Sequence, residues 1–130
     1  MKGFGEQNKS KKKINKINKP SKEKIINQAF HFHSKGNINE AANCYKYLIE
    51  RGLKDYRVFA NYGIILNSLG HYKDAETLIR QAITLKPNLV EGHFNLGCIL
   101  THLGKFKEAE MSTRKAIELK PNHFRGRRQR

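Results

Sequence analysis

Three successive segments of this chain repeat one another with a period of 34 residues. The copies at 56–89 and 90–123 align without a gap and are identical at 16 of 34 positions, whereas the first copy, 22–55, shares only five residues with the second. Two of the columns that are identical in all three copies are Asn27, Asn61 and Asn95, and Gly36, Gly70 and Gly104. A period of this length marks units that bury their apolar faces only against neighbouring units. The sequence therefore predicts a stack of three repeats rather than one enclosed core.

Each copy has the pattern of two helices separated by a turn. The first helix is predicted to span about 13 residues up to the glycine, and the second about 14 residues ending before the proline. Small residues recur where the two helices are expected to approach closely, at Ala29, Gly63 and Gly97 and at Ala41, Ala75 and Ala109. The first copy differs at its end, because Leu53 replaces the proline that the other two copies carry.

The positive charge of the chain is concentrated at its two ends. The 130 residues carry a net charge of +15, of which residues 1–24 contribute +7 and the last six residues +4. Residues 1–20 are rich in Lys and Asn and have no aromatic residue after Phe4, so they are predicted to form a disordered arm. Residues 124–130 are predicted to form a basic tail. The surface of the repeats is expected to be nearly balanced in charge.

The lysine arm has two interpretations. Its cations are candidates for attracting nucleic acid, ribosomes or an anionic membrane surface through counterion release. Under the alternative, the arm is a solvated segment that only aids solubility. The candidate residues are Lys9, Lys11, Lys12, Lys13, Lys16 and Lys19.

Several other classes of function are not indicated. No segment approaches the ~18 consecutive apolar residues of a membrane span, and the N-terminus lacks the apolar core of a signal peptide, so a cytoplasmic location is expected. Cys98 and His102 share a helix face, but two ligands fall short of a structural metal site, and Cys44 has no nearby cysteine partner. The sequence contains no phosphate-binding loop and no nucleophile elbow. We therefore expect no enzyme, cofactor or metal.

The repeat columns resemble those of the tetratricopeptide repeat family. The family pattern matches the second copy at Gly63, Gly70, Tyr72, Ala75, Ala82 and Pro87, and the third at Gly97, Gly104, Phe106, Ala109, Ala116 and Pro121. The first copy matches only at Ala29, Gly36 and Ala41. The resemblance implies an all-α fold in which three helix-turn-helix repeats, 22–55, 56–89 and 90–123, form a short right-handed α-solenoid. It also implies a non-catalytic scaffold for protein–protein interaction.

In this family the first helices line a concave groove that accepts an extended peptide or a partner helix. The resemblance assigns five columns to the groove: Glu23/Arg57/Glu91, Ile26/Ala60/Phe94, Asn27/Asn61/Asn95, Phe30/Ile64/Cys98 and His33/Asn67/Thr101. An asparagine amide can donate to and accept from a peptide backbone. The row of three resembles the asparagine ladder in the repeat region of O-linked N-acetylglucosamine transferases. The alternative is that these amides only close local hydrogen bonds.

The groove columns exclude one specialised mode of recognition. Family members that dock chaperone tails hold a terminal carboxylate with Lys and Asn from two columns. Here those columns hold Ile26, Ala60 and Phe94, and Phe30, Ile64 and Cys98. A carboxylate clamp of this kind is therefore not expected. The apolar side chains favour a partner that brings hydrophobic residues.

The last repeat is expected to leave an apolar face open, since the segment after Pro121, NHFRGRRQR, cannot form an amphipathic capping helix. The sequence leaves three explanations: homodimerisation through that end, coverage by a partner, or truncation of a longer protein. In longer proteins that resemble this one, such repeats often precede a glycosyltransferase, sulfotransferase or methyltransferase domain. Two alternatives to a peptide-binding scaffold are therefore open. The chain is either a substrate-recruiting accessory of a transferase or, through its lysine arm, a polyanion-associated adaptor.

Overall fold

The computed structural model describes residues 21–120, which form six α-helices and no strand. In chain order the helices are α1 Lys22–Ser34, α2 Ile38–Glu50, α3 Tyr56–Ser68, α4 Tyr72–Leu85, α5 Val90–His102 and α6 Phe106–Leu119. They pack most extensively in consecutive pairs, α1 with α2, α3 with α4 and α5 with α6. The predicted all-α stack of helix-turn-helix units is thereby confirmed. Within the described range, no helix combines the length and apolarity that crossing a membrane requires.

A glycine ends the first helix of every pair, as predicted. In the third pair Gly104 adopts φ +78°, a left-handed conformation that costs most other residues about 1–2 kcal/mol. The backbone N–H of Lys105 donates to the carbonyl oxygen of Leu100 at 2.8 Å, which satisfies an otherwise unpaired carbonyl at the helix end. Gly36 and Gly70 have the same geometry. The turn reverses the chain so that the second helix packs back against the first.

The end of α2 differs from the ends of the other second helices. After α4, Pro87 disfavours a helical conformation at Lys86, whose φ of −138° and ψ of 86° are not helical. After α2, Gly52 takes φ +84° instead, and the N–H of Leu53 donates to the carbonyl oxygen of Leu48 at 3.0 Å. A glycine turn therefore ends the first repeat in place of a proline.

Small residues allow the paired helices to approach closely, as predicted for the column that contains Gly63 and Gly97. A Cβ atom on Gly97 would lie 2.4 Å from Thr113 Oγ1 and 3.2 Å from the carbonyl oxygen of Ala109. A Cβ atom on Gly63 would lie 2.8 Å from the side chain of Ile79. Both shortest distances are below van der Waals contact, so a larger residue would displace its neighbours.

Two clusters of buried residues form the described core. One joins the first pair to α3 and contains Ile26, Ala29, Ala41, Tyr45, Leu48, Val58 and Ile65. The other joins the second and third pairs and contains Ala75, Ile79, Leu96, Ile99, Leu100 and Ala109. The two junctions between repeats are unequal, because α4 packs against α5 more extensively than α2 packs against α3, and α3 also packs directly against α5.

A buried carboxylate reinforces the junction between the second and third repeats. Glu76 on α4 is only 8% exposed and accepts hydrogen bonds from Arg80 Nε at 2.9 Å and from Lys105 Nζ at 3.4 Å. Burial alone would raise its pKa, but the hydrogen bond from Arg80 and the charges of Lys105 and Arg80 outweigh burial and lower it. Because Lys105 immediately precedes α6, this contact links one repeat to the next.

Candidate functional site

A groove of about 540 Å³ lies on the face formed by the first helices of the repeats. Helices α3 and α5 supply most of its walls, and α1 contributes one residue. The groove brings together six residues of the predicted site: Phe30, Ala60, Asn61, Ile64, Phe94 and Asn95. It therefore combines apolar walls with two amide groups from adjacent repeats. This composition is typical of sites in which apolar contacts give affinity and a few polar groups fix orientation.

The other three residues of the predicted groove site lie outside this cavity. Ile26 is only 1% exposed and belongs to the core cluster with Tyr45 and Val58, so the prediction that it lines the groove is corrected. Its branched apolar side chain packs inside the stack, whereas Ala60, one period later, is half-buried and reaches the groove wall. Asn27 is exposed on α1 and Cys98 is half-buried on α5, and neither lines the cavity.

Four wall residues were not predicted from the sequence, because they lie at or near the beginning of a helix and outside the columns assigned to the groove. They are Tyr56, Leu89, Val90 and Gly92. Tyr56 and Val90 occupy the first position of their repeats, and a large apolar residue there was the available signal. A Cβ atom on Gly92 would lie 2.9 Å from Leu89 Cδ2, so a larger residue at this position would have to displace the Leu89 side chain.

The amides of Asn61 and Asn95 face the groove from equivalent positions on α3 and α5. Among residues 21–120, neither side chain makes a hydrogen bond, and the same is true of Asn27. The local hydrogen bonds that formed the alternative interpretation are therefore not made within the described residues. Each amide offers two N–H donors and one carbonyl acceptor toward the groove.

A network of charged groups surrounds Arg57 at one end of the groove. Arg57 Nε and Nη2 donate to the two carboxylate oxygens of Asp55 at 3.0 and 2.7 Å. Nη1 and Nη2 donate to the two oxygens of Glu23 in the first repeat at 3.2 and 3.3 Å. The hydrogen bonds from Arg57 lower the pKa of Asp55, and those to Asp55 and Glu23 raise the pKa of Arg57. Asp55 Oδ1 also accepts from the Arg57 backbone N–H at 2.9 Å, which caps α3.

Two further charges lie beside the groove. Glu91 is an exposed wall residue on the first turn of α5, and it forms no ion pair with any residue in the described range. Lys86 Nζ lies 4.6 Å from the ring centroid of Tyr56 and 3.3 Å from its hydroxyl oxygen. The two acids that bind Arg57 are thus not the only anionic groups at this end of the groove.

His102, which shares a helix face with Cys98, contacts side chains of the preceding repeat. The imidazole of His102 stacks on Tyr72 with the ring centroids 4.6 Å apart, and its Nδ1 lies 3.2 Å from Asn67 Oδ1. Within residues 21–120, no three His, Cys, Asp or Glu side chains are grouped as metal ligands would be. The candidate lysines of the arm, and Arg125 and the other tail arginines, lie outside the described residues.

The outer face of the last described helix pair carries exposed apolar side chains. Phe106 is 68% exposed and Ile117 is 38% exposed. Both line a shallow cavity of about 380 Å³ together with Thr101 and Thr113. This is the face that a following unit of a repeat stack would cover. Dimerisation through it remains a prediction.

Comparison with known proteins identifies the repeats. Two models of the tetratricopeptide repeat family match the chain, one over residues 56–89 and the other over residues 90–123. The fold resembles that of MamA, with a TM-score of 0.76 at 19% identity over 85% of this chain and 65% of that one. It also resembles the second TPR of Spaghetti (RPAP3) bound to the HSP90 peptide SRMEEVD, with a TM-score of 0.72 at 24% identity over 80% of this chain and 96% of that one. No curated protein sequence matches significantly.

The family matches together extend from residue 56 to residue 123, which is just over half of the chain. The likeness to the solved structures covers more of the chain, 80–85%. Because the sequence identities are below 25%, this likeness shows the fold alone. The chain spans about 65% of the length of MamA. The resemblance to repeat regions that precede transferase domains remains a prediction. Residues 21–120 form six helices in three pairs with glycine turns, and family models match two of the repeats. The chain therefore belongs to the tetratricopeptide repeat family.

Proposed function

We propose that this chain is a non-catalytic protein-interaction scaffold that binds an extended peptide or a partner helix in its groove. The observation that carries the proposal is the convergence of Asn61 and Asn95 with Phe30, Ile64 and Phe94 around one cavity. The amides would pair with the backbone of the bound segment, and the apolar walls would accept its hydrophobic side chains.

The related structures support a groove of this kind without identifying its ligand. Both the first and the second TPR of Spaghetti (RPAP3) are bound to the HSP90 peptide SRMEEVD. Domains of this fold can therefore hold a peptide. In the present chain, the apolar side chains of Ala60, Ile64 and Phe94 would accept hydrophobic side chains of a bound segment.

A displayed library of random peptides, selected on the full-length protein, tests the proposal. Synthetic copies of enriched peptides are then titrated by fluorescence anisotropy against the wild type and an Asn61→Ala/Asn95→Ala variant. Each lost amide contact removes hydrogen bonds worth about 0.5–1.5 kcal/mol, so the double variant should bind about tenfold more weakly. Alanine favours a helix more than asparagine does, so the variant should fold.

The chain offers a matched control. Asn39 and Asn43 are both exposed on α2, four residues apart, and neither lines the groove. An Asn39→Ala/Asn43→Ala variant makes the same chemical change elsewhere and should bind the peptides as the wild type does. Equal weakening in both variants, or no enrichment of any peptide, would contradict the proposed function.

A further inference from the structure

Arg57, the cation that lines the groove, already binds two carboxylates of the chain itself. Four of the five N–H groups of the Arg57 guanidinium donate to Asp55 and Glu23, at distances between 2.7 and 3.3 Å. An incoming carboxylate would have to displace one of these partners and would also be repelled by the other. Arg57 is therefore poorly suited to anchor an acidic segment.

A carboxylate on the opposite wall is available instead. Glu91 lines the groove, is exposed, and has no ion pair among the residues that the structure describes. It lies three residues before Phe94 and four before Asn95 on the same helix, and side chains with these spacings are neighbours on one helix face. A cation bound to Glu91 would thus lie beside an apolar wall and an amide.

The five charged groups described above at this end of the groove also sum to a negative charge. Glu23, Asp55 and Glu91 contribute three negative charges, and Arg57 and Lys86 contribute two positive ones. Lys86 offsets part of the negative charge, but its ammonium group is held over the Tyr56 ring. The net charge of −1 contrasts with the +15 of the whole chain.

From these observations, and resting on the proposed function, we propose that the groove selects a segment of a partner protein in which a Lys or Arg stands next to an apolar residue. The apolar side chain occupies the cavity between Ile64 and Phe94, and the neighbouring cation pairs with Glu91. Such a partner needs no terminal carboxylate. Acidic segments are disfavoured in the groove, even though the strongly basic chain as a whole attracts them.

The test must separate binding in the groove from binding to the lysine arm. The random peptide library is selected in parallel on the full-length wild type and on the full-length Asn61→Ala/Asn95→Ala variant. Peptides retained equally by both proteins bind elsewhere, and acidic peptides on the arm are expected among them. Peptides that depend on the two asparagines should be enriched in Lys or Arg adjacent to apolar residues.

Titration with synthetic amidated copies of one such peptide then measures the preference for a basic residue directly. Replacing its Lys or Arg by Glu should weaken binding about fivefold to tenfold, since an attractive contact becomes a repulsive one and exposed pairs contribute modestly. With the Glu91→Gln variant, the ratio between the affinities of the basic peptide and of its Glu-substituted form should fall to about twofold. Glu118→Gln, a control on the exposed surface of α6, should leave the ratio unchanged. Because exposed charges are screened, the ratio should also fall at high salt.

The outcomes distinguish this inference from the function on which it rests. If asparagine-dependent peptides exist but show no basic preference, or an acidic one, the specificity is wrong and the scaffold function stands. The same conclusion follows if Glu91→Gln leaves the ratio unchanged. If no peptide depends on the asparagines, the proposed function fails and the inference fails with it.

Discussion

Replacing Gly97 by alanine tests how closely α5 and α6 approach. In an unhindered helix this change would stabilise the protein by about 1 kcal/mol, because alanine restricts the unfolded chain and favours the helix. Here the new methyl group would lie 2.4 Å from Thr113 Oγ1 and 3.2 Å from the Ala109 carbonyl oxygen. Inserting a methyl group into packed structure costs about 1–3 kcal/mol. We therefore expect a net loss of up to about 2 kcal/mol in the free energy of unfolding.

A double-mutant cycle shows whether Thr113 is the obstacle. Thr113→Ala removes the hydroxyl group that the new methyl group would meet, so Gly97→Ala should cost about 1–2 kcal/mol less in the Thr113→Ala background than in the wild type. Urea unfolding followed by helical circular dichroism gives the four free energies. If Gly97→Ala stabilises the wild type by about 1 kcal/mol, the helices are not in close contact. If the cost is the same in both backgrounds, Thr113 is not the group that resists the methyl.

Two further predictions concern single positions. Glu76→Gln should lower the free energy of unfolding by about 1–2 kcal/mol at neutral pH, because it leaves Arg80 and Lys105 without their shared carboxylate. Since the pKa of Glu76 is lower in the folded state, its contribution is present above the unfolded pKa and is lost as the pH falls through the folded pKa. The free energies of unfolding of the two proteins, measured by urea titration, should therefore converge in acid, and a constant difference would contradict this. Gly52→Ala should destabilise by about 1 kcal/mol because φ is +84° there, and an unchanged melting temperature would show that the turn readily adopts another conformation.

Sequence reasoning predicted those parts of the fold that depend on local chemistry. Gly104 and Pro87 stop helices through their own backbone preferences, so the helix ends follow from the residues alone. The close approach at Gly97 also follows, since the repeat retains a small residue at this position.

What depends on the neighbours of a residue could not be predicted from its column. Ile26 and Ala60 occupy the same column, but the first is buried among residues of three helices and the second reaches the groove. The repeat period predicts which residues occupy equivalent positions on their helices. It does not predict which side chains pack around each of them. The ion pair of Glu76 with Lys105 likewise depends on the packing of one repeat against the next. No local pattern contains that information.

The groove spans two junctions between repeats that differ in the extent of their packing. Among residues 21–120, all of those that line the groove except Phe30 come from the second and third repeats, which are joined by the more extensive junction. Phe30 belongs to the first repeat, whose junction is less extensive and is bridged by the exposed Glu23 to Arg57 contact. Because the first repeat is held by less extensive packing, we expect a small rotation of it to change the width of the groove at Phe30 while Asn61 and Asn95 keep their positions. Under the proposed function, partners of different bulk would then share one mode of backbone recognition.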